Sequence, residues 1–259
     1  MSNYWAERMA KAQTALTNKS LRKIEGQLAR YYGITAKRVI EDFEKTYNKV
    51  LAQQAEGKQV TPADLYRLDA YWQMQGQLRQ ELQKLGERQI SLLTKHFELN
   101  FFEVYYSINI EGATAFSTID AAGAMQLINS TWVADGKSFS QRVWDNTEML
   151  VETLNEELIH CVTTGKKTTE LKNILQERFN VGYNNADMIA RTELAHVQTE
   201  AAKRRYEDYG IQQVEIWADP DERTCEICGK LHETKYPVGA HVPIPAHPRC
   251  RCCIVPVVD

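Results

Sequence analysis

Long apolar runs are missing from this chain of 259 residues. Nothing in it approaches the roughly 20 consecutive apolar residues of a membrane-spanning helix, so a helical membrane protein is excluded and no membrane partner is expected. The opening Met-Ser-Asn-Tyr-Trp lacks the apolar centre of a secretory signal. The chain is therefore expected to be made in the cytoplasm, where thiols stay reduced and a disulfide framework is disfavoured. An excess of either charge is missing too. The net charge is −3, and from Asn184 onward nine basic residues face twelve acidic ones while the remainder balances. That distribution shows no basic nucleic-acid-binding module. Internal repeats and low-complexity tracts are also absent.

What is present in the first two-thirds is helical periodicity. Leu21, Ile24, Leu28 and Tyr31 recur at alternating steps of three and four, as a one-faced helix requires. Gly33 is expected to break that run, with Ile40, Phe43, Tyr47 and Val50 repeating it beyond. Gly57-Lys58-Gln59 reads as a polar loop. Thr61-Pro62-Ala63-Asp64 is a helix start, with a capping Thr, Pro at the first helical position and an acid three residues after the cap. Leu65, Leu68, Trp72, Leu78, Leu82 and Leu85 predict a long helix or a helical pair bent near Gly76 or Gly86. Phe101 to Ile110 is ambiguous, Gly112 to Asp120 is a loop, and a short helix spans Ala121 to Ile128.

Val151, Leu154, Leu158 and Val162 define another helix, ended near Gly165. Leu171, Ile174 and Phe179 mark a short one, and Asn184 or Asn185 is placed to cap a longer one reaching Tyr209. Character then changes. Val214-Glu215-Ile216-Trp217 alternates like a strand, and five of the seven prolines lie beyond Tyr236. The expected fold is a mainly α N-terminal region with a small α+β C-terminal domain, the boundary falling between Gly136 and Gln141.

Five of the six cysteines crowd that last segment, leaving Cys161 alone. Cys225-Glu226-Ile227-Cys228 and His247-Pro248-Arg249-Cys250 give a C-x2-C…H-x2-C pattern with zinc-site spacing. A two-residue gap lets one tight turn aim two donors at a point, and two such turns complete a tetrahedron. Thiolate and imidazole are donors zinc favours, and four protein ligands make a structural site. The assignment is Cys225, Cys228, His247 and Cys250 around a structural zinc. Three alternatives stay open: Cys252 in place of His247 or Cys250, reduced cysteines in a small core, and a disulfide formed after release from the cell. Cys253 is expected to face the opposite side of a strand from Cys252. His232 and His241 are spare candidates, expected to be solvated.

Other motifs carry less. Gly136-Lys137-Ser138 and Gly165-Lys166-Lys167-Thr168 end like phosphate-binding loops, but Thr131 and His160 stand where the motif needs glycine. Both read as loops. Arg191-Thr192-Glu193 and His196 share one predicted helix, and Glu193 and His196 are spaced to lie on one face. An acid–base pair is one reading and an architectural ion pair the other. With no nucleophile or open metal site beside them, no catalytic residue and no enzymatic activity is expected.

Taken together, Arg191-Thr192-Glu193, Ile216-Trp217 with Asp219, Arg223-Thr224-Cys225-Glu226-Ile227-Cys228 with Leu231, and Pro245 with His247-Pro248-Arg249-Cys250-Arg251-Cys252 resemble phage Mu F-like head morphogenesis proteins. Ser140-Gln141-Arg142-Val143-Trp144 resembles the same family, and the likeness runs from about Gly136 onward. It implies a minor capsid protein of a tailed phage or prophage. Such a protein is associated with the portal protein inside the virion, contacts packaged DNA and other head proteins, and acts in head assembly or DNA packaging and delivery. Residues 1–138 would then be a helical portal- or partner-docking region and 139–259 the head morphogenesis domain. Some members carry a toxin domain after this module; with the sequence ending at Asp259, no appended activity is expected. Two rival readings remain. One is a zinc-dependent nucleic-acid-binding module using Arg249, Arg251, Lys230 and Lys235. The other is a nuclease or transferase using Glu193 and His196.

Overall fold

The computed structural model describes residues 3–55, 61–110, 119–218 and 221–258. Seven helices and three strands follow one another among these: α1 (Asn3–Ala55), α2 (Pro62–Tyr66), α3 (Asp69–Ser107), α4 (Ala121–Ile128), α5 (Phe139–Thr164), α6 (Thr168–Asp208), β1 (Gln213–Trp217), α7 (Glu226–Leu231), β2 (Lys235–Pro237) and β3 (Cys253–Pro256). The protein is thus mostly helical with a small antiparallel sheet near the C-terminus, in the order β2-β1-β3. No helix among the described residues is long and apolar enough to cross a membrane. Gly57-Lys58-Gln59, most of the Gly112 to Asp120 loop and Asp219 lie outside the described residues.

Several expected breaks are absent. α1 runs through Gly33 and α6 through Asn184 and Asn185, while α3 runs through Gly76 and Gly86 as one long helix, one of the two readings of that stretch. An interior glycine costs a helix only about 1 kcal/mol relative to alanine, which a long buried stripe outweighs. In α1 that stripe continues on both sides of Gly33, with Leu28, Tyr32, Ala36 and Val39 all buried. The ambiguous Phe101 segment is helical as far as Ser107. The capping box at Thr61 forms as expected, Asp64 N–H reaching Thr61 and Thr61 N–H reaching Asp64. Its helix is only five residues long, however, and a new one starts at Asp69.

The chain divides into two compact units. One comprises Met1–Glu25, Leu92–Phe139 and Met188–Asp259; the other comprises Gly26–Ser91 and Ser140–Asp187. In the second unit a polar contact sits among the buried side chains. Asn146 Nδ2–H lies 3.1 Å from both the Tyr32 hydroxyl and the Gly182 carbonyl. A Cβ at Gly182 would stand 3.1 Å from Leu150 and 3.3 Å from the Tyr32 ring, so a larger residue there would crowd both. In the first unit the start of α1 packs on the sheet, Ala6 and Ala10 sharing a core with Trp217, Cys253 and Val255. Gln13 Nε2–H donates to the Tyr206 hydroxyl (3.1 Å) and to the Ile254 carbonyl (3.2 Å). These bonds satisfy a carbonyl of β3, an edge strand that would otherwise offer unpaired backbone groups.

Candidate metal centre

Register in the sheet delivers the donors. β1 pairs with β3 from Val214↔Pro256 to Trp217↔Cys253, so the chain reaches β3 directly from Cys250-Arg251-Cys252. Cys253 is buried against Ala6, Ala10 and Trp217, while Cys252 joins the other cysteines, as alternation along an extended segment requires. After β1, Asp221 ties this region together. Arg251 donates to both its oxygens (2.9 and 2.7 Å) and Arg223 donates to Oδ2 (3.1 Å). The Arg251 guanidinium foremost, then Arg223, holds the Asp221 carboxyl well below the usual carboxylate range.

Cys225 is the N-cap of α7. Its backbone is extended and its Sγ accepts the Cys228 N–H at 3.4 Å. This is ordinary N-cap geometry with sulfur in place of a hydroxyl, and it aims both sulfurs of the C-x2-C turn the same way. His247 Nε2 lies 3.1 Å from Cys225 Sγ and 3.1 Å from Cys228 Sγ. Cys228 Sγ lies 3.7 Å from Cys250 Sγ. Two groups of donor atoms result, Cys225–Cys228–His247 and Cys228–Cys250–Cys252, each within 4.8 Å. Cys228 belongs to both.

The four residues singled out from the sequence are therefore brought together, and Cys252 joins them as a fifth. Zinc–sulfur bonds of about 2.3 Å in a tetrahedron set two sulfurs about 3.7 Å apart, which matches Cys228 and Cys250. The 3.1 Å sulfur–nitrogen separations are tighter than the roughly 3.5 Å of a shared tetrahedron, a difference that a small side-chain rotation supplies. His247 Nδ1 is 2.8 Å from the Pro248 carbonyl. A carbonyl only accepts, so Nδ1 carries a proton, and in the neutral ring the Nε2 lone pair then faces the sulfurs, as in an imidazole ligand. That carbonyl also raises the His247 pKa.

The thiols differ in how readily they ionise. Burial pushes Cys228 up to about 12. A hydrogen bond from the Cys252 thiol brings Cys250 down to about 5, and the same bond raises Cys252. The Cys228 backbone N–H lowers Cys225. A buried Cys228 resists carrying charge alone, and a cation among these sulfurs removes that resistance. The donor set, its spacing and the tautomer of His247 all fit a thiophilic ion such as zinc.

The spare histidines stand elsewhere. His232 is not simply solvated: its Nδ1 accepts the Ala218 N–H (3.3 Å) and its ring meets Trp217 edge to face. His241 is exposed. Cys161 is buried in the second unit, remote in sequence from the cluster.

The Arg191-Thr192-Glu193 turn of α6 has three attachments within the first unit. Arg191 pairs with Glu25 of α1. Thr192 Oγ1 accepts the Arg249 N–H at 3.0 Å. Glu193 Oε2 accepts Trp132 Nε1–H at 2.9 Å, and the same indole stacks on His196. Sequence reasoning placed this turn on a helix but missed Trp132, Arg249 and the Asp221–Arg251 pair. No local spacing signals contacts between residues 30 to 61 positions apart.

Comparison with known proteins adds context. Residues 152–255 match the model of the family described as phage Mu protein F like protein, so that region of the chain is phage Mu F-like, as its motifs implied. Ser140 to Trp144 precede the matched stretch. The chain is also similar to an NAD(+)–arginine ADP-ribosyltransferase of Enterococcus faecalis, 25% identical over 185 residues. The match takes in 64% of this chain and spans only 38% of that relative's length. No solved structure matches.

Proposed function

We propose that this protein, carrying a phage Mu F-like module at residues 152–255, is a minor head morphogenesis protein of a tailed phage or prophage. The family match is the observation that supports the reading. Residues 1–138 form the docking region for the portal protein, and 139–259 form the head morphogenesis domain. The protein acts in head assembly or DNA packaging and delivery, inside the capsid, beside packaged DNA and other head proteins. A zinc ion held by Cys225, Cys228, His247 and Cys250 organises the end of the module. It adds to the small apolar core that the sheet shares with α1, and it supplies cohesion rather than reactivity.

Neither rival reading gains from the site. For nucleic-acid binding, Arg251 is held by both oxygens of Asp221, which occupies one of the four cations that reading needs. For transferase chemistry the support is the Enterococcus relative. Against it, Glu193 and His196 are only 4% and 5% exposed, and both are engaged by Trp132. The test is coexpression with the portal protein of the same phage or prophage, with particles purified from cells carrying or lacking this gene. Co-purification with the portal and defective heads in its absence are expected. Normal heads without the protein would refute the assignment.

A further inference from the structure

We propose that Thr192, outside the Cys/His set, is a positioning residue for the metal centre, its hydroxyl holding the His247–Cys250 turn in ligand-ready form. The inference rests on the metal reading above. The turn is closed by Cys250 N–H donating to the His247 carbonyl (3.1 Å), with Pro248 and Arg249 at its centre. Arg249 has φ +63°. Proline followed by a positive φ is the pattern of a type II turn, where glycine or asparagine is favoured at the second central position. An arginine there carries a steric cost, so something outside the turn has to hold it.

The Arg249 N–H donates to Thr192 Oγ1 at 3.0 Å. The same hydroxyl donates to the Met188 carbonyl at 2.7 Å, which fixes its rotor with a lone pair toward the turn. The support beneath it is rigid. Thr192 sits within a 41-residue helix, and its neighbours Arg191 and Glu193 are anchored to Glu25 and Trp132. His247 and Cys250, two of the proposed ligands, flank the residue that Thr192 grips. Their relative placement is thus set by α6 before any ion arrives, and preorganised ligands bind more tightly because less ordering accompanies binding.

The experiment uses the full chain, with zinc affinity measured by competition against a chromophoric chelator and amide exchange followed at Arg249 without metal. Thr192→Val removes the acceptor at nearly constant volume, and Thr192→Ser keeps it. Thr192→Val is expected to weaken zinc binding roughly three- to tenfold and to speed Arg249 exchange, with Thr192→Ser close to the parent. Adding Arg249→Gly to Thr192→Val is expected to restore most of the affinity, because glycine takes positive φ without steric cost. The same change in the parent should alter affinity little. Unchanged affinity in folded Thr192→Val, or an equal loss in Thr192→Ser, would overturn the inference alone. So would an Arg249 amide that exchanges in the parent as fast as an unstructured one, a measurement needing no variant. A parent protein that binds no zinc at all would overturn the inference and the metal reading together.

Discussion

Trp132 lies flat against His196, ring centroids 4.5 Å apart and planes 13° from parallel, while its indole N–H reaches Glu193 at 2.9 Å. One side chain from the α4–α5 connection thereby occupies both members of the only acid–base pair the sequence suggested. Trp132→Phe keeps an aromatic ring beside His196, though a smaller one, and removes the donor to a buried carboxylate. It is expected to lower stability by about 1–3 kcal/mol, read as a shifted urea midpoint with unchanged slope.

Helical glycines in the second unit should respond in opposite directions. Nothing lies within 4 Å of a Cβ built at Gly76, whereas one at Gly86 would meet Trp144 Cζ3 at 2.6 Å. Gly76→Ala is expected to raise stability by about 0.5–1 kcal/mol through helix propensity. Gly86→Ala is expected to lower it by about 1–3 kcal/mol because the indole must move. Thermal unfolding of both variants checks the sign of each change.

The ligand set is separable from its neighbours. Cys228 is common to both donor groups and Cys252 belongs to one. Cys228→Ser is expected to abolish zinc binding, Cys252→Ser to retain one ion with weaker affinity, and Cys161→Ser to leave binding unchanged. Elemental analysis separates Cys228→Ser from the other two, and competition with a chromophoric chelator separates Cys252→Ser from Cys161→Ser.

Glu200 has its pKa raised by burial, against the pull of Lys203. A raised carboxyl pKa means the folded chain holds this proton to higher pH than the unfolded chain. Its effect is neutral below the ordinary carboxylate range, and stability falls as pH rises through the raised value. Glu200→Gln should remove that decline, giving a flatter profile of unfolding free energy above the ordinary range.

Much of this architecture was legible locally. The capping box at Thr61, the helix Ala121–Ile128, the strand Val214 to Trp217 and the helix stop at Gly165 all follow from short-range spacing and turn chemistry. The grouping of Cys225, Cys228, His247 and Cys250 also follows from spacing, since each pair is closed by one turn. Helix continuity through Gly33 and Asn184 was not legible, because tertiary burial outweighs the modest local cost of a glycine or a capping residue inside a helix. Nor did any local pattern join Ala6 and Ala10 to Trp217, Thr192 to Arg249, or Trp132 to Glu193. Those contacts depend on how distant segments of the chain meet, and the polar ones need side-chain placement within a few tenths of an ångström.

Whether the Cys/His cluster holds zinc decides the proposal, and counting the ion is the direct test. Zinc should be measured per chain on folded protein purified under reducing conditions, beside the Cys228→Ser variant. One zinc per parent chain and none in the variant is the predicted result. Folded, fully reduced parent protein with no bound zinc would contradict it.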